Sequence, residues 1–340
     1  MKKLKPIVDS LGRPLRDLRI SVTDRCNFRC RYCMPEELFG SGFSFLPKEK
    51  LLTFEEIVRL AHIFTELGVS KIRITGGEPL LRQGIVHLIE MLADIKPLQD
   101  LAMTTNGVLL TKFAAPLKQA GLKRINVSLD TLRDDTFHRL NSRNYSVRDV
   151  LQGIEAAQKA GLSVKVNMVV IKGVNDTEIV EVARYFRERE LVVRFIEFMD
   201  VGNSNGWNAD QVISKQEIIS RIHAEMPLEA INPAYFGEVA TRYRYQGTET
   251  EVGMIPSITQ PFCSSCTRLR LSSDGFLYTC LFATEGFNLR DFMRQGADDE
   301  KLRRFIEKLW AKRADRYSEE RFLTGDGKNR KKIEMSYIGG

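Results

Sequence analysis

Between about residues 16 and 198 the chain alternates short apolar stretches with longer amphipathic ones. The short stretches are rich in β-branched and large apolar side chains and read as strands: Leu18–Val22, Lys71–Thr75, Leu101–Thr104, Arg124–Leu129, Ser163–Ile171 and Val192–Phe198. Helix patterns with clear punctuation lie between them. Thr53 and Glu56 have the spacing of a capping box, and Gly68 stops the helix they start. Gly121 and Gly161 close the helices before the fourth and fifth strands, and Asp176 opens a helix running to about Glu190. Six successive βα units predict a parallel sheet closed, or nearly closed, into a TIM-like barrel. A doubly wound open sheet is the rival. Both designs place ligands beyond the C-terminal ends of the strands.

The pattern changes after Met199. Asp200–Asp210 is rich in Gly and Asn and reads as a loop. Ser214–Glu225 reads as a helix, with Ser214 and Glu217 as a second capping box. Arg242–Gln246, Val252–Ile258 and Leu269–Leu271 read as short antiparallel strands, and residues 314–338 are charged as a solvated tail would be. The expected organisation is an α/β barrel over residues 1–199 and a smaller C-terminal region over residues 200–340.

Composition narrows the classes. With 43% hydrophobic and 28% charged residues, the 340-residue chain can build a sizeable core. No run of 18 apolar residues occurs, and MKKLKPIVDSLGRP lacks the apolar core of a signal peptide. A cytoplasmic location is expected, where cysteines serve more often as ligands than in disulfides. The net charge of +7 suits an anionic partner, but a plain basic surface gives the same number.

The six cysteines fall in two groups, Cys26-x3-Cys30-x2-Cys33 and Cys263-x2-Cys266-x13-Cys280. Each group is one ligand short of a closed tetrahedral zinc site, and the four histidines form no motif. Three thiolates on a four-iron cluster instead leave one iron open to a small molecule. A zinc knot with a borrowed ligand remains the alternative for the first group. For the second it is the zinc ribbon of a nucleic-acid-binding protein. Two open clusters account for every cysteine, whereas zinc needs two unseen ligands.

The segment from Thr23 to Cys33, TDRCNFRCRYC, resembles the cluster loop of the radical S-adenosylmethionine (radical SAM) superfamily. Gly76-Gly77-Glu78-Pro79, following the second strand, resembles the superfamily's loop for the methionine ammonium. The resemblance implies that the open iron chelates SAM, and that one electron cleaves SAM to methionine and a 5′-deoxyadenosyl radical. Tyr32, Gly77, Ser128 and Met199 occupy superfamily SAM positions. Without the resemblance, Ser128 reads as a sheet hydroxyl and Met199 as a core residue.

Over essentially the whole chain, GRPLRDLRISVTDRCNFRCRYC, ITGGEP, TTNG, INVSLD, VKVN, FIEFMDVG, FCSSCTRLRLSSDG and the terminal Gly-Gly are similar to the GTP 3′,8-cyclase family of molybdenum-cofactor biosynthesis. This implies two [4Fe-4S] clusters, SAM, and GTP held by Arg19, Arg73, Thr104, Lys165, Arg268, the backbone around Leu269, and Arg270, with Arg194 a weaker candidate. It also implies that Gly339 and Gly340 reach the active site. An external electron donor, a homodimer and transfer of product to cyclic pyranopterin monophosphate synthase follow as well, with neither nucleic acid nor membrane as partner. The residues agree with a polyphosphate ligand. Guanidinium forks suit phosphate oxygens, and alternation along Arg268-Leu269-Arg270 points both arginines one way. Arginine or lysine inside a strand is rarely buried unless it has a partner. A peptide-modifying enzyme of the same superfamily usually carries more C-terminal cysteines than these three.

Overall fold

The computed structural model describes residues 6–322 and 331–339; the basic start of the chain and Gly340 lie outside them. Among the described residues, twelve strands form one sheet. In chain order they are β1 (Asp17–Ser21), β2 (Lys71–Thr75), β3 (Asp100–Thr105), β4 (Arg124–Ser128), β5 (Ser163–Val170) and β6 (Val192–Glu197). Then come β7 (Leu228–Ile231), β8 (Thr241–Tyr245), β9 (Glu251–Ile255), β10 (Arg268–Leu271), β11 (Phe276–Tyr278) and β12 (Phe287–Asn288). Their spatial order is β12-β11-β10-β1-β2-β3-β4-β5-β6-β9-β8-β7.

The six expected βα strands are all present and parallel, within two residues of their sequence-based limits. The sheet does not close on itself, so the architecture is a partial barrel. The C-terminal strands do not stand apart as purely antiparallel elements. β10 joins the β1 edge and β9 joins the β6 edge, each in parallel register. Only beyond them do antiparallel meanders continue, β10-β11-β12 on one side and β9-β8-β7 on the other. The period-2 pattern of a four-residue strand shows its faces but not its partner, so pairing direction was invisible in sequence.

The helices pack outside the sheet along their apolar faces. Thr53 and Glu56 form the capping box, and the helix Phe54–Glu66 buries Ile57, Leu60, Ala61 and Phe64. Ser146 and Asp149 form another, unforeseen box ahead of Val147–Lys159. Ser214 caps only one way: its hydroxyl accepts from the Glu217 amide at 3.2 Å, with no return bond from the Glu217 side chain. Asp176 opens a single 3-10 turn, and the α-helix proper runs Ile179–Arg187.

The expected solvated tail is a second correction. Where it is described, Arg321, Lys332, Ser336 and Ile338 are all buried. Ile338 packs with Tyr278 and Ala283. Charged composition suggested solvation, but these cations have a buried counter-charge.

Gly153 shows how tightly the outer helices sit. A Cβ there would stand 2.1 Å from the Gly107 carbonyl oxygen. Alanine in mid-helix gains about 1 kcal/mol of propensity, while overpacking against fixed backbone costs roughly 1–3 kcal/mol or more. Gly153→Ala is therefore expected to lower the thermal midpoint, as measured on the iron-free chain by circular dichroism. A raised midpoint would show that the helix shifts freely.

Candidate active site

Inside the sheet lies a cavity of about 1550 Å³. All six cysteines line it. The first group follows the C-terminal end of β1. Cys266 lies two residues before β10, which is parallel to β1, and Cys280 follows β11, which is antiparallel to β10. The second group therefore sits at the N-terminal ends of the parallel strands, opposite the first. The strand-end rule accounts for the position of the first group but not for that of the second, whose cysteines the sequence identified without their place.

The loop after β2 holds the first group in place. Gly77 N donates to Thr23 O at 2.7 Å and Glu78 N to Arg25 O at 2.8 Å. A Cβ on Gly77 would lie 2.3 Å from Arg25 O, so glycine permits this contact. The Glu78 carboxylate, pushed up to about 7 by burial, accepts from Thr105 Oγ1, Asn106 N and Leu80 N at 2.7–3.0 Å. Its first task is thus to brace the loops after β2 and β3. The Tyr32 hydroxyl donates to Asp130 at 2.7 Å, and burial lifts Asp130 to about 6.

Both cysteine groups fit a polynuclear cluster. Burial pushes Cys26 and Cys280 up to about 12 and also raises Cys30 and Cys33, with the neighbouring thiols adding to the shift. Such thiols give up protons only to a cation that takes their charge. Cys266 is the exception. Burial raises it, but Arg268, Arg313 and hydrogen bonds outweigh that and hold it at about 6. Among the described residues, no three His, Cys, Asp or Glu side chains converge as they would on one metal ion.

Between the cysteine groups the strands present basic side chains. Arg270, Arg19 and Arg73 are register partners on the adjacent strands β10, β1 and β2, and all three line the cavity. Lys165, Arg194 and Arg268 line it as well. Among the described residues none of these six forms an ion pair with a carboxylate, and Arg73 Nε and Arg194 Nε are buried without hydrogen-bond partners. Burial first, then the other guanidiniums, lowers Arg73 and Arg270 to about 10 and Arg194 to about 9. The rim differs: there Lys71 and Arg124 pair with Asp17 and Asp100.

Thr104, Ser128 and Tyr32 also line the cavity. Met199 lines it while packing on the cluster of Val201, Phe282 and Tyr317. The Leu269 side chain is fully buried in the core, which leaves only its backbone to serve a ligand. Gly339 has φ 74°, its carbonyl accepts from Arg270, and any Cβ would strike Thr75. Arg313, Asn126 and Asn167 escaped the sequence reading. Arg313 stands just ahead of the stretch read as a solvated tail, and the two asparagines fall inside the INVSLD and VKVN motifs without being given a role there.

The profile of the radical SAM superfamily matches residues 20–186, and that of Molybdenum Cofactor Synthesis C matches residues 191–319. A GTP 3′,8-cyclase of Staphylococcus carnosus (strain TM300) is 53% identical over 339 residues, covering 99% of this chain and 100% of the relative. The chain belongs to the GTP 3′,8-cyclase family. Another family member, from Acidothermus cellulolyticus, is 52% identical over 360 residues, covering 99% of each chain. In fold, this cyclase-family chain resembles Streptococcus suis SuiB bound to S-adenosylmethionine, with TM-score 0.58 and 16% identity over 87% of this chain and 68% of that one. Among the described residues no helix is long and apolar enough to cross a membrane.

The path of the cyclase-family tail generates a prediction. Lys332 Nζ donates to Asp200 Oδ2 at 2.6 Å and to Asp200 O at 2.7 Å; Arg321 Nε lies 2.8 Å from Asp200 Oδ1. Further along, Glu334 accepts from Asn203 N at 3.0 Å, and the Tyr337 hydroxyl donates to Asp274. Burial would raise the Asp200 carboxyl, but Arg321 and Lys332 outweigh it and hold it below its ordinary value. Its folded pKa is thus depressed, so the latch contributes fully above the unfolded value of about 3.9 and is lost as pH falls through the folded one. Asp200→Ala leaves two buried cations unpaired, a change that costs about 3–5 kcal/mol. Amide exchange at residues 331–339 of the iron-free chain is expected to accelerate in this variant, and in the parent below about pH 4. Unchanged exchange in both would remove Asp200 as the anchor.

Proposed function

We propose that this chain converts GTP to (8S)-3′,8-cyclo-7,8-dihydroguanosine 5′-triphosphate, the opening step of molybdenum-cofactor biosynthesis. The observation that carries the reading is one cavity with a three-cysteine group at each end and, between them, six basic residues with no carboxylate partner among the described residues. Cys26, Cys30 and Cys33 hold the first [4Fe-4S] cluster, and Cys263, Cys266 and Cys280 the second. When loaded, the first cluster supplies the electron that cleaves SAM to methionine and a 5′-deoxyadenosyl radical.

The chain's own residues bind, orient and exclude water. Tyr32, Gly77, Ser128 and Met199 surround SAM beside the first group. Arg19, Arg73, Lys165 and Arg194 meet the triphosphate, whose charge relieves their mutual repulsion. Arg268, the Leu269 backbone, Arg270 and Thr104 fix the nucleoside so that ribose C3′ faces the SAM end. Orientation alone can supply a large part of such a rate. Gly339 completes the wall beside Arg270, and Gly340, outside the described residues, shares its role in the reaction in this reading. In this reading residues 1–199 hold SAM, and residues 200–340 bring the second cluster and part of the nucleotide site. An external one-electron donor, pairing of two chains, a cytoplasmic setting and transfer to cyclic pyranopterin monophosphate synthase belong to the same proposal.

The test is anaerobic reconstitution, with roughly eight irons per chain expected, followed by incubation with SAM, dithionite and each nucleoside triphosphate in turn. Cyclised product is expected from GTP alone, together with 5′-deoxyadenosine. Cys30→Ala is expected to abolish SAM cleavage while iron stays at the second group; Cys266→Ala weakens GTP binding while some uncoupled cleavage persists. Arg73→Ala removes a charge-assisted bond of about 1.5–3 kcal/mol, or roughly ten- to hundred-fold in GTP affinity. Parental affinity in Arg73→Ala and Arg19→Ala would overturn the triphosphate assignment.

A further inference from the structure

Beside the second cysteine group lies a buried charged triad, whose Arg313 reaches the cavity wall, and which the proposed SAM and nucleotide contacts do not use. Asp9, Arg13 and Arg313 are each at most 5% exposed. Asp9 belongs to the turn bridged by Val8 and Pro14, ahead of β1. Arg313 follows the helix Asp299–Ala311. The two arginines share one carboxylate: Arg13 Nε donates to Asp9 Oδ2 at 2.6 Å and Arg313 Nη1 to the same oxygen at 3.2 Å. Asp9 Oδ1 accepts from the amides of Leu11 and Arg13 at 3.0 and 2.9 Å, which fixes the carboxylate.

Arg13 Nη2 is buried without a hydrogen-bond partner, and the remaining guanidinium bonds run to the second cysteine group or its surroundings. Arg13 Nη1 donates to Cys263 O and Asp315 O, both at 2.8 Å. Arg313 Nη1 donates to Cys266 O at 2.9 Å, and its Nε to Thr279 O, next to Cys280, at 3.0 Å. Arg313 Nη2 reaches the Cys266 sulfur itself at 3.1 Å. Arg313 also lies over the Trp310 ring, 4.6 Å from its centroid, and the Trp310 indole donates to Arg13 O at 3.1 Å. Two forks on one carboxylate therefore grip the chain at or beside all three cysteines.

We infer that Arg313, oriented by Asp9, is a positioning residue that fixes the second group's thiolate geometry and raises the reduction potential of the cluster held there. The inference rests on the iron–sulfur reading of that group. Its physics is direct. A guanidinium hydrogen on a ligating sulfur, with a positive charge in a dry surrounding, favours the more negative, reduced state of the cluster. The planar fork matters as well as the charge, because lysine's single nitrogen, with three donors, cannot reach the sulfur, the Asp9 carboxylate and two separate carbonyls at once.

The test uses the full chain carrying Cys26→Ala, Cys30→Ala and Cys33→Ala, so that only the second group loads iron. Arg313→Gln and Arg313→Lys are made in it, and each protein is titrated anaerobically against potential with electron paramagnetic resonance as the readout. The expected results are a more negative midpoint and an altered signal in Arg313→Gln, a smaller shift in Arg313→Lys, and iron loss to a chelator faster by about ten-fold or more in both. Melting of the iron-free chains separates this from folding. A lowered melting point with parental midpoint and signal would make Arg313 scaffolding only and overturn the inference. A parent that binds no cluster overturns the iron–sulfur reading itself, whereas a loaded parent with indistinguishable variants overturns this inference alone.

Discussion

Three guanidiniums in register on adjacent strands impose the main constraint. Arg270, Arg19 and Arg73 stand side by side on β10, β1 and β2, facing inward, with no carboxylate among the described residues paired to any of them. Two like charges about 4 Å apart repel by about 4 kcal/mol at an effective dielectric of about 20. Cross-strand neighbours of one sign destabilise a sheet in the same way. A protein keeps such a layer only where something else fixes the strands and an anion occupies the space. The outer helices and the fully buried leucines and isoleucines of the strands' other face do the fixing. In the proposed function, the polyanion is supplied by the substrate.

That layer also explains why the barrel interior is a cavity. A filled barrel stacks large apolar side chains in layers. Here several inward positions hold long cations that extend into open space, and others hold small residues such as Ala102 and Gly253. Gly253 is required by its neighbour: a Cβ there would stand 2.7 Å from Arg194 Cγ. With the interior left open, the cysteine groups at the two strand ends share one space instead of two separate clefts.

How much of this was legible depended on sequence distance. The six βα strands, the Thr53–Glu56 box and the first cysteine group were readable because each is a local pattern set by a period, a cap or a short spacing. Arg19 and Arg73 were readable because a cation inside an apolar strand is an anomaly with few explanations. What could not be read was pairing over long separations. The parallel joining of β9 and β10 to the sheet's two edges places the second cysteine group at the N-terminal strand ends, against the usual rule for βα folds. The tail was misjudged for a related reason. Lys332 and Arg321 look solvated by composition, and only the Asp200 carboxylate far away in sequence makes their burial affordable.

The same logic links the chain's two extremities. The segment before β1 carries Asp9 and Arg13 to the back of the second cysteine group, and the last described residues carry Gly339 to Arg270. Arg270 is itself lowered by burial and by Arg268, and raised by Cys280 and Cys266, so it feels both the cation layer and the second cysteine group. Accepting the Arg270 hydrogen bond at the Gly339 carbonyl gives that guanidinium a neutral partner, one that holds its direction without neutralising it. A carboxylate in the same place would cancel the charge that an anionic ligand needs. A backbone carbonyl on a residue without a side chain, pressed against Thr75, orients the arginine and leaves its charge for the cavity.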